Sequence, residues 1–84
     1  MKWSAVNNNT VEFLLADLQT AHTFMDLAET TGNEETRKRN HRKARHAYDT
    51  VTQLLQKVKM HATQLQAIED KLASLEKRLQ AVDC

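Results

Sequence analysis

The segment that determines the fold reads AETTGNEETR, residues 28–37. It contains Gly32, the only glycine in a chain without proline. A lone glycine at the end of a helical pattern predicts a helix stop with a left-handed residue just beyond it. Asn33 then predicts the N-cap of a second helix, whose first turn carries Glu34 and Glu35 where the helix dipole favours acids. The segment therefore predicts two antiparallel helices joined by a tight turn.

The residues before this turn predict the first helix, over 10–31. Apolar side chains recur there at alternating steps of three and four, which is the spacing of a heptad seam. The seam consists of Val11, Leu14, Leu18, Ala21, Met25 and Ala28. Leu15, Phe24 and Leu27 widen it to the broader stripe of a bundle helix. Residues 1–9 show no such period and are expected to form a flexible tail.

Two further helices are predicted after the turn, over 34–59 and 63–82. The second of these carries an uninterrupted heptad seam. Its members are Leu65, Ile68, Leu72, Leu75, Leu79 and Val82. The break at 60–62 contains neither glycine nor proline, so one continuous helix over 34–82 stays open as the alternative. Such a helix would need partner chains to cover its leucines.

These elements predict an all-α protein, an antiparallel three-helix bundle that forms a single domain over residues 10–84. Eighty-four residues, 40 % apolar and 27 % charged, fit one small globular or coiled-coil domain. No apolar run is long enough to cross a membrane, and the amino terminus lacks the pattern of a secretory signal. Cys84 is the only cysteine, which excludes an internal disulfide. We expect a cytoplasmic protein.

A basic cluster, TRKRNHRKARH at residues 36–46, is the first candidate site. Its cations are Arg37, Lys38, Arg39, Arg42, Lys43 and Arg45. Anion or nucleic-acid binding needs cations along one face, preferably with aromatic side chains for base stacking. Helical spacing instead predicts that these cations surround much of the helix, and no aromatic residue is interleaved. Solvation, with pairing to Asp26 and Glu29 across the turn, is therefore favoured over an acidic partner or nucleic acid.

The histidines and the cysteine predict neither a metal centre nor catalysis. His41 and His46 are five residues apart, so they do not share the helix face that a zinc-binding pair requires. Cys84 has no nearby base to generate a thiolate. We expect no catalytic residue, no metal ligand and no cofactor, and therefore no enzyme.

The second candidate site is apolar. The third-helix seam either completes the core of the bundle or contacts another chain. The second helix has no apolar inward residue before Ala44, so the core should be thin near the turn and side chains of the first helix should be partly exposed. The candidate interface residues are Phe13, Phe24, Leu27, Leu65, Ile68, Leu72, Leu75 and Leu79. The expected partner is a second copy of the chain or another helical protein.

The stretch FMDLAETTGNEETRKRNHRKARHAYDTV, residues 24–51, resembles a segment of small bacterial helical proteins of unknown function. Those proteins place a similar hairpin before a short third helix. The resemblance implies a bacterial origin and supplies no activity and no site residue. The sequence thus predicts a non-catalytic protein–protein interaction module that self-associates through heptad-patterned faces. The alternative is an anion or nucleic-acid binder that uses the basic start of the second helix.

Overall fold

A computed structural model describes residues 8–82, and this part of the chain forms three α-helices. They are α1 (Asn8–Thr30), α2 (Glu34–Leu55) and α3 (Ala62–Ala81), and each packs against the other two. The prediction of an all-α three-helix bundle is therefore confirmed. Asn8 and Asn9 belong to α1 instead of a preceding tail, and the remainder of that predicted tail lies outside the described residues.

The turn between α1 and α2 forms at the predicted place but by a different mechanism. Asn33 is the N-cap of α2, and its side-chain oxygen accepts the Thr36 backbone N–H at 2.9 Å. The φ of Gly32 lies outside the left-handed region, so the predicted left-handed helix stop is wrong. Thr31 closes the turn instead. Its N–H donates to the Leu27 carbonyl at 3.0 Å, and its hydroxyl oxygen accepts the Asn33 N–H at 3.1 Å.

The connection between α2 and α3 is longer than the predicted break at 60–62. Helix α2 ends at Leu55, and residues 56–61 join it to α3. His61 is the N-cap of α3, and its backbone N–H donates to the Gln64 side-chain oxygen at 2.9 Å. A single continuous helix over the second half of the chain is therefore excluded.

The core runs along all three helices and follows the predicted seams. Every predicted seam residue of α1 is buried. The buried apolar cluster consists of Val11, Leu14, Leu18, Ala21, Met25, Ala44, Ala47, Val51, Ile68, Leu72, Leu75 and Leu79. Burial of each large aliphatic side chain contributes roughly 1.5–3 kcal/mol, which makes these seams the main source of stability.

The helices run up, down and up, so α3 is parallel to α1. Arg78, near the carboxyl end of α3, reaches residues His22, Asp26 and Glu29 in the carboxyl half of α1. The turn, the basic start of α2 and the end of α3 therefore share one end of the bundle. No helix within residues 8–82 has both the length and the apolar character that crossing a membrane requires.

Candidate functional site

An exposed surface on one side of the helical hairpin carries both apolar and basic side chains. We call it the α1–α2 face. Its residues are Phe13, Asp17, Thr20, Phe24 and Leu27 on α1, with Arg39, Arg42, Lys43 and His46 on α2. Phe13 is 59 % exposed and Leu27 is 49 % exposed, while Phe24 is half-buried. The predicted partial exposure of these three side chains is confirmed.

A groove of about 520 Å³ lies within the α1–α2 face. Phe24 and Asp17 line it from α1, and three cations with His46 line it from α2. The Lys43 ammonium lies 5.4 Å from the centre of the Phe24 ring, a distance at which a cation and an aromatic ring attract each other. The groove therefore offers positive charge beside an aromatic surface.

The groove corrects part of the expectation for the basic cluster. Spacing along α2 alone indicated that the cations would surround much of the helix, without an aromatic side chain among them. Arg39, Arg42 and Lys43 in fact line one groove. The aromatic ring comes from α1, so no pattern within α2 could reveal it.

Arg37 is a structural residue and not a free binding group. Its Nε donates to the Ala28 carbonyl at 3.3 Å, and a terminal nitrogen donates to the Thr31 carbonyl at 2.9 Å. The other terminal nitrogen pairs with Glu34. These carbonyls stand at the end of α1, where no further helical turn supplies donors. Arg37 therefore caps α1 from the first turn of α2.

The remaining cations of the basic cluster differ in whether they form ion pairs or contacts with aromatic rings. The Arg45 guanidinium lies 3.4 Å from an Asp49 carboxylate oxygen and 5.3 Å from the Tyr48 ring centre. Lys38 and Arg42 are exposed and make no ion pair or hydrogen bond within residues 8–82. Arg42 therefore stands in the groove with its charge available to a ligand or partner.

The predicted pairing of Asp26 and Glu29 with the start of α2 is wrong. Both carboxylates bind Arg78 of α3 instead, at 2.8 Å and 3.0 Å. Arg78 also donates to the His22 backbone oxygen at 3.3 Å and lies 3.1 Å from His22 Nδ1, which accepts because a guanidinium carries only donors. Burial lowers the pKa of Arg78, but hydrogen bonds and attraction from Asp26 and Glu29 outweigh it and raise the pKa above its ordinary value.

Sequence reasoning missed this cluster, although a signal existed. His22, Asp26 and Glu29 are spaced by four and three residues, so they form one polar stripe on α1. Arg78 flanks the buried Leu75 and Leu79 in the heptad pattern of α3. The signal in the sequence was therefore a polar stripe on α1 together with an arginine next to the buried residues of α3. The cluster locks α3 to α1 and is therefore structural.

The third-helix leucines proposed as interface residues belong to the core. Ile68, Leu75 and Leu79 are fully buried, and Leu72 is 9 % exposed. Only Leu65 is half-buried. A residue packed against its own chain cannot contact another without opening the bundle, so this part of the interface prediction is corrected. Phe13, Phe24 and Leu27 stay available.

Within residues 8–82, no three histidine, cysteine, aspartate or glutamate side chains gather as a bound metal ion would require. Cys84 lies outside the described residues. Comparison with protein-family models, curated proteins and solved structures found no significant match to this chain. The resemblance to bacterial helical proteins therefore stays a prediction.

Proposed function

We propose that this chain is a non-catalytic protein–protein interaction module that self-associates through the α1–α2 face. The observation that carries the proposal is the exposure of Phe13 and Leu27, two large apolar side chains on one side of α1. They lie roughly 21 Å apart along α1 with the half-buried Phe24 between them, and an apolar strip beside charged residues is typical of contact sites. A cytoplasmic location and a bacterial origin belong to the same proposal.

The burial pattern supports α1 over α3 as the contact element. The four central residues of the α3 seam pack inside the bundle. Their apolar surface is buried by folding and is not accessible to another chain. The apolar area left over lies on α1. Near the turn, α2 has no apolar inward residue before Ala44, and Phe13 is exposed at the opposite end of the hairpin.

The cations at the edge of the α1–α2 face support a contact of defined register over non-specific apolar association. Arg39, Arg42 and Lys43 form no ion pair within the described part of the chain. Pairs of opposite charge around an apolar centre fix the register of two partners, while contributing less to affinity, and Asp17 is the acid that this face offers to a cation of the second copy.

Sedimentation equilibrium over a range of protein concentrations tests the proposal. The wild-type chain should shift from one chain to two as concentration rises. Phe13→Gln and Leu27→Gln should abolish that shift while leaving the helical circular dichroism unchanged. Val82→Gln is the matched control, since Val82 is also exposed, at 38 %, but lies at the end of α3. A mass of one chain at every concentration would overturn the proposal.

A second candidate function is anion binding, including single-stranded nucleic acid, in the groove. The specific observation is that Arg39, Arg42 and Lys43 meet Phe24 there. Proteins bind single-stranded nucleic acids by combining positive charge, which attracts the phosphates, with aromatic rings, on which the bases stack. Binding of a fluorescent oligonucleotide should then fall steeply with salt.

The double substitution of Arg42 and Lys43 by glutamine tests this candidate. It should remove most of the oligonucleotide binding. The control removes two other exposed cations, Lys57 and Lys59, and therefore leaves the same net charge. If both double variants bind equally well, the groove is not an anion site.

A further inference from the structure

We propose that the α1–α2 face pairs with the same face of a second copy, antiparallel, about a two-fold axis that passes beside Thr20. This inference rests on the proposed self-association and specifies its partner and geometry. The exposed side chains of α1, the placement of opposite charges along the face and the dimensions of the molecule support it.

The exposed stripe of α1 is symmetric about Thr20. Phe13 lies seven residues before Thr20 and Leu27 lies seven residues after it. Residues seven apart project from nearly the same side of a helix, and all three are exposed. A two-fold axis through the middle of the stripe brings Phe13 of each copy against Leu27 of the other. One surface patch then serves both partners, as in other two-fold dimers.

The same rotation brings opposite charges of the two copies together. Asp17 lies three residues before Thr20, so the rotation places it level with position 23 of the other copy. Phe24 and the Lys43 that covers it stand beside that position. Within residues 8–82, neither Asp17 nor Lys43 forms an ion pair. Each copy can therefore offer its carboxylate to the ammonium of the other.

A parallel arrangement of the two copies would do the opposite. It would set each Asp17 level with the other Asp17 and each Lys43 level with the other Lys43, so neither charge would meet its opposite. Complementary charges across an interface fix the orientation in which two partners pair. The antiparallel arrangement is therefore the favoured one.

The dimensions of the molecule allow such a contact. The bundle measures 51 × 19 × 16 Å, with the helices along the longest direction. Its long side is large enough for the roughly 800 Å² per partner that a standard interface buries. The second copy covers Phe13 and Leu27, which the single chain leaves exposed.

Oxidative cross-linking tests the position of the axis. In a Cys84→Ser background, Thr20→Cys should form a disulfide-linked dimer readily, because two cysteines at a two-fold axis face each other. The control Ser74→Cys, at an exposed position on α3, should remain uncrosslinked under the same conditions. Equal cross-linking of the two variants, or none in Thr20→Cys, would overturn the proposed axis.

Charge exchange tests the register independently. Asp17→Lys and Lys43→Glu should each weaken self-association by about tenfold, since each sets like charges against one another. An equimolar mixture of the two variants should recover the wild-type affinity, because every contact in the mixed dimer is again between opposite charges. If wild type dimerises but the mixture does not recover, the register is wrong and self-association stands. If wild type is monomeric at every concentration, the proposed function itself fails.

Discussion

At the scale of single residues, two arginines connect the ends of the helices. Arg37 donates to the Ala28 and Thr31 carbonyls at the end of α1. Arg78 binds Asp26 and Glu29 and so holds the end of α3 against α1. Both guanidinium groups use several donors at once, which a lysine ammonium cannot match in the same planar geometry.

Replacement of Arg37 by alanine should destabilise the chain by roughly 1 kcal/mol, because two helix-end carbonyls lose their donors. Arg42→Ala is the matched control. Arg42 is exposed and makes no ion pair or hydrogen bond within residues 8–82, so its loss should change stability by less than about 0.5 kcal/mol. Urea unfolding at low protein concentration measures both. Equal effects of the two substitutions would show that Arg37 is not a cap.

Replacement of Arg78 by glutamine should also cost roughly 1 kcal/mol. The value is modest because the side chains of Asp26 and Glu29 are 67 % and 60 % exposed and therefore screened by water. Lys77→Gln, at the neighbouring exposed position, should be neutral. The pKa of Arg78 is raised in the folded chain, so its contribution is complete at lower pH and is lost only as pH rises through that raised value. The difference between the two variants should therefore be constant from neutral to moderately alkaline pH.

At the scale of helices, the heptad seams were predictable and the helix ends were less so. The seams of α1 and α3 depend on the spacing of apolar residues, and burial follows that spacing closely. The end of α2 at Leu55 was not predictable, because the glutamine and lysine that follow it are good helix formers. Met60 in the connection packs against the core, a contact between distant segments that the local sequence does not reveal.

Substitution of Gly32 by alanine should stabilise the chain by roughly 0.4–1 kcal/mol. Its φ is not left-handed and an added Cβ would meet no atom within 4 Å, so alanine fits and reduces the entropy of the unfolded chain. Asn33→Ala, one residue later, should destabilise by about 1 kcal/mol because it removes the N-cap of α2. Thermal unfolding of both variants provides the measurement. A destabilised Gly32→Ala variant would mean that the turn needs glycine after all.

Truncation of Leu75 to alanine should cost roughly 2–5 kcal/mol, since its side chain is fully buried. The neighbouring Ser74→Ala, at an exposed position, should have little effect. Loss of helical circular dichroism or a large fall in the urea midpoint would show the difference. An unchanged midpoint in Leu75→Ala would mean that the α3 seam is not part of the core of the single chain.

At the scale of the whole molecule, α3 buries one side of the hairpin and leaves the α1–α2 face open. The sequence predicted the exposed Phe13, Phe24 and Leu27. The lack of an apolar inward residue in α2 before Ala44 accounts for Phe24 and Leu27 near the turn, whereas Phe13 lies at the opposite end of the hairpin. It did not predict the groove, since Phe24 and Lys43 come from different helices and meet only after folding. For the α3 seam it left both the core and an interface open, because a heptad pattern is the same whether its partner is the same chain or another, and burial assigns the seam to the core.

The most direct test of the proposed self-association is an isotope-filtered NMR experiment on an equimolar mixture of labelled and unlabelled chain. It detects only contacts between different molecules. We expect nuclear Overhauser effects between the Phe13 ring of one chain and the Leu27 methyl groups of the other. The absence of any intermolecular effect at high concentration, or effects that involve Ile68 and Leu75 of α3 instead, would contradict it.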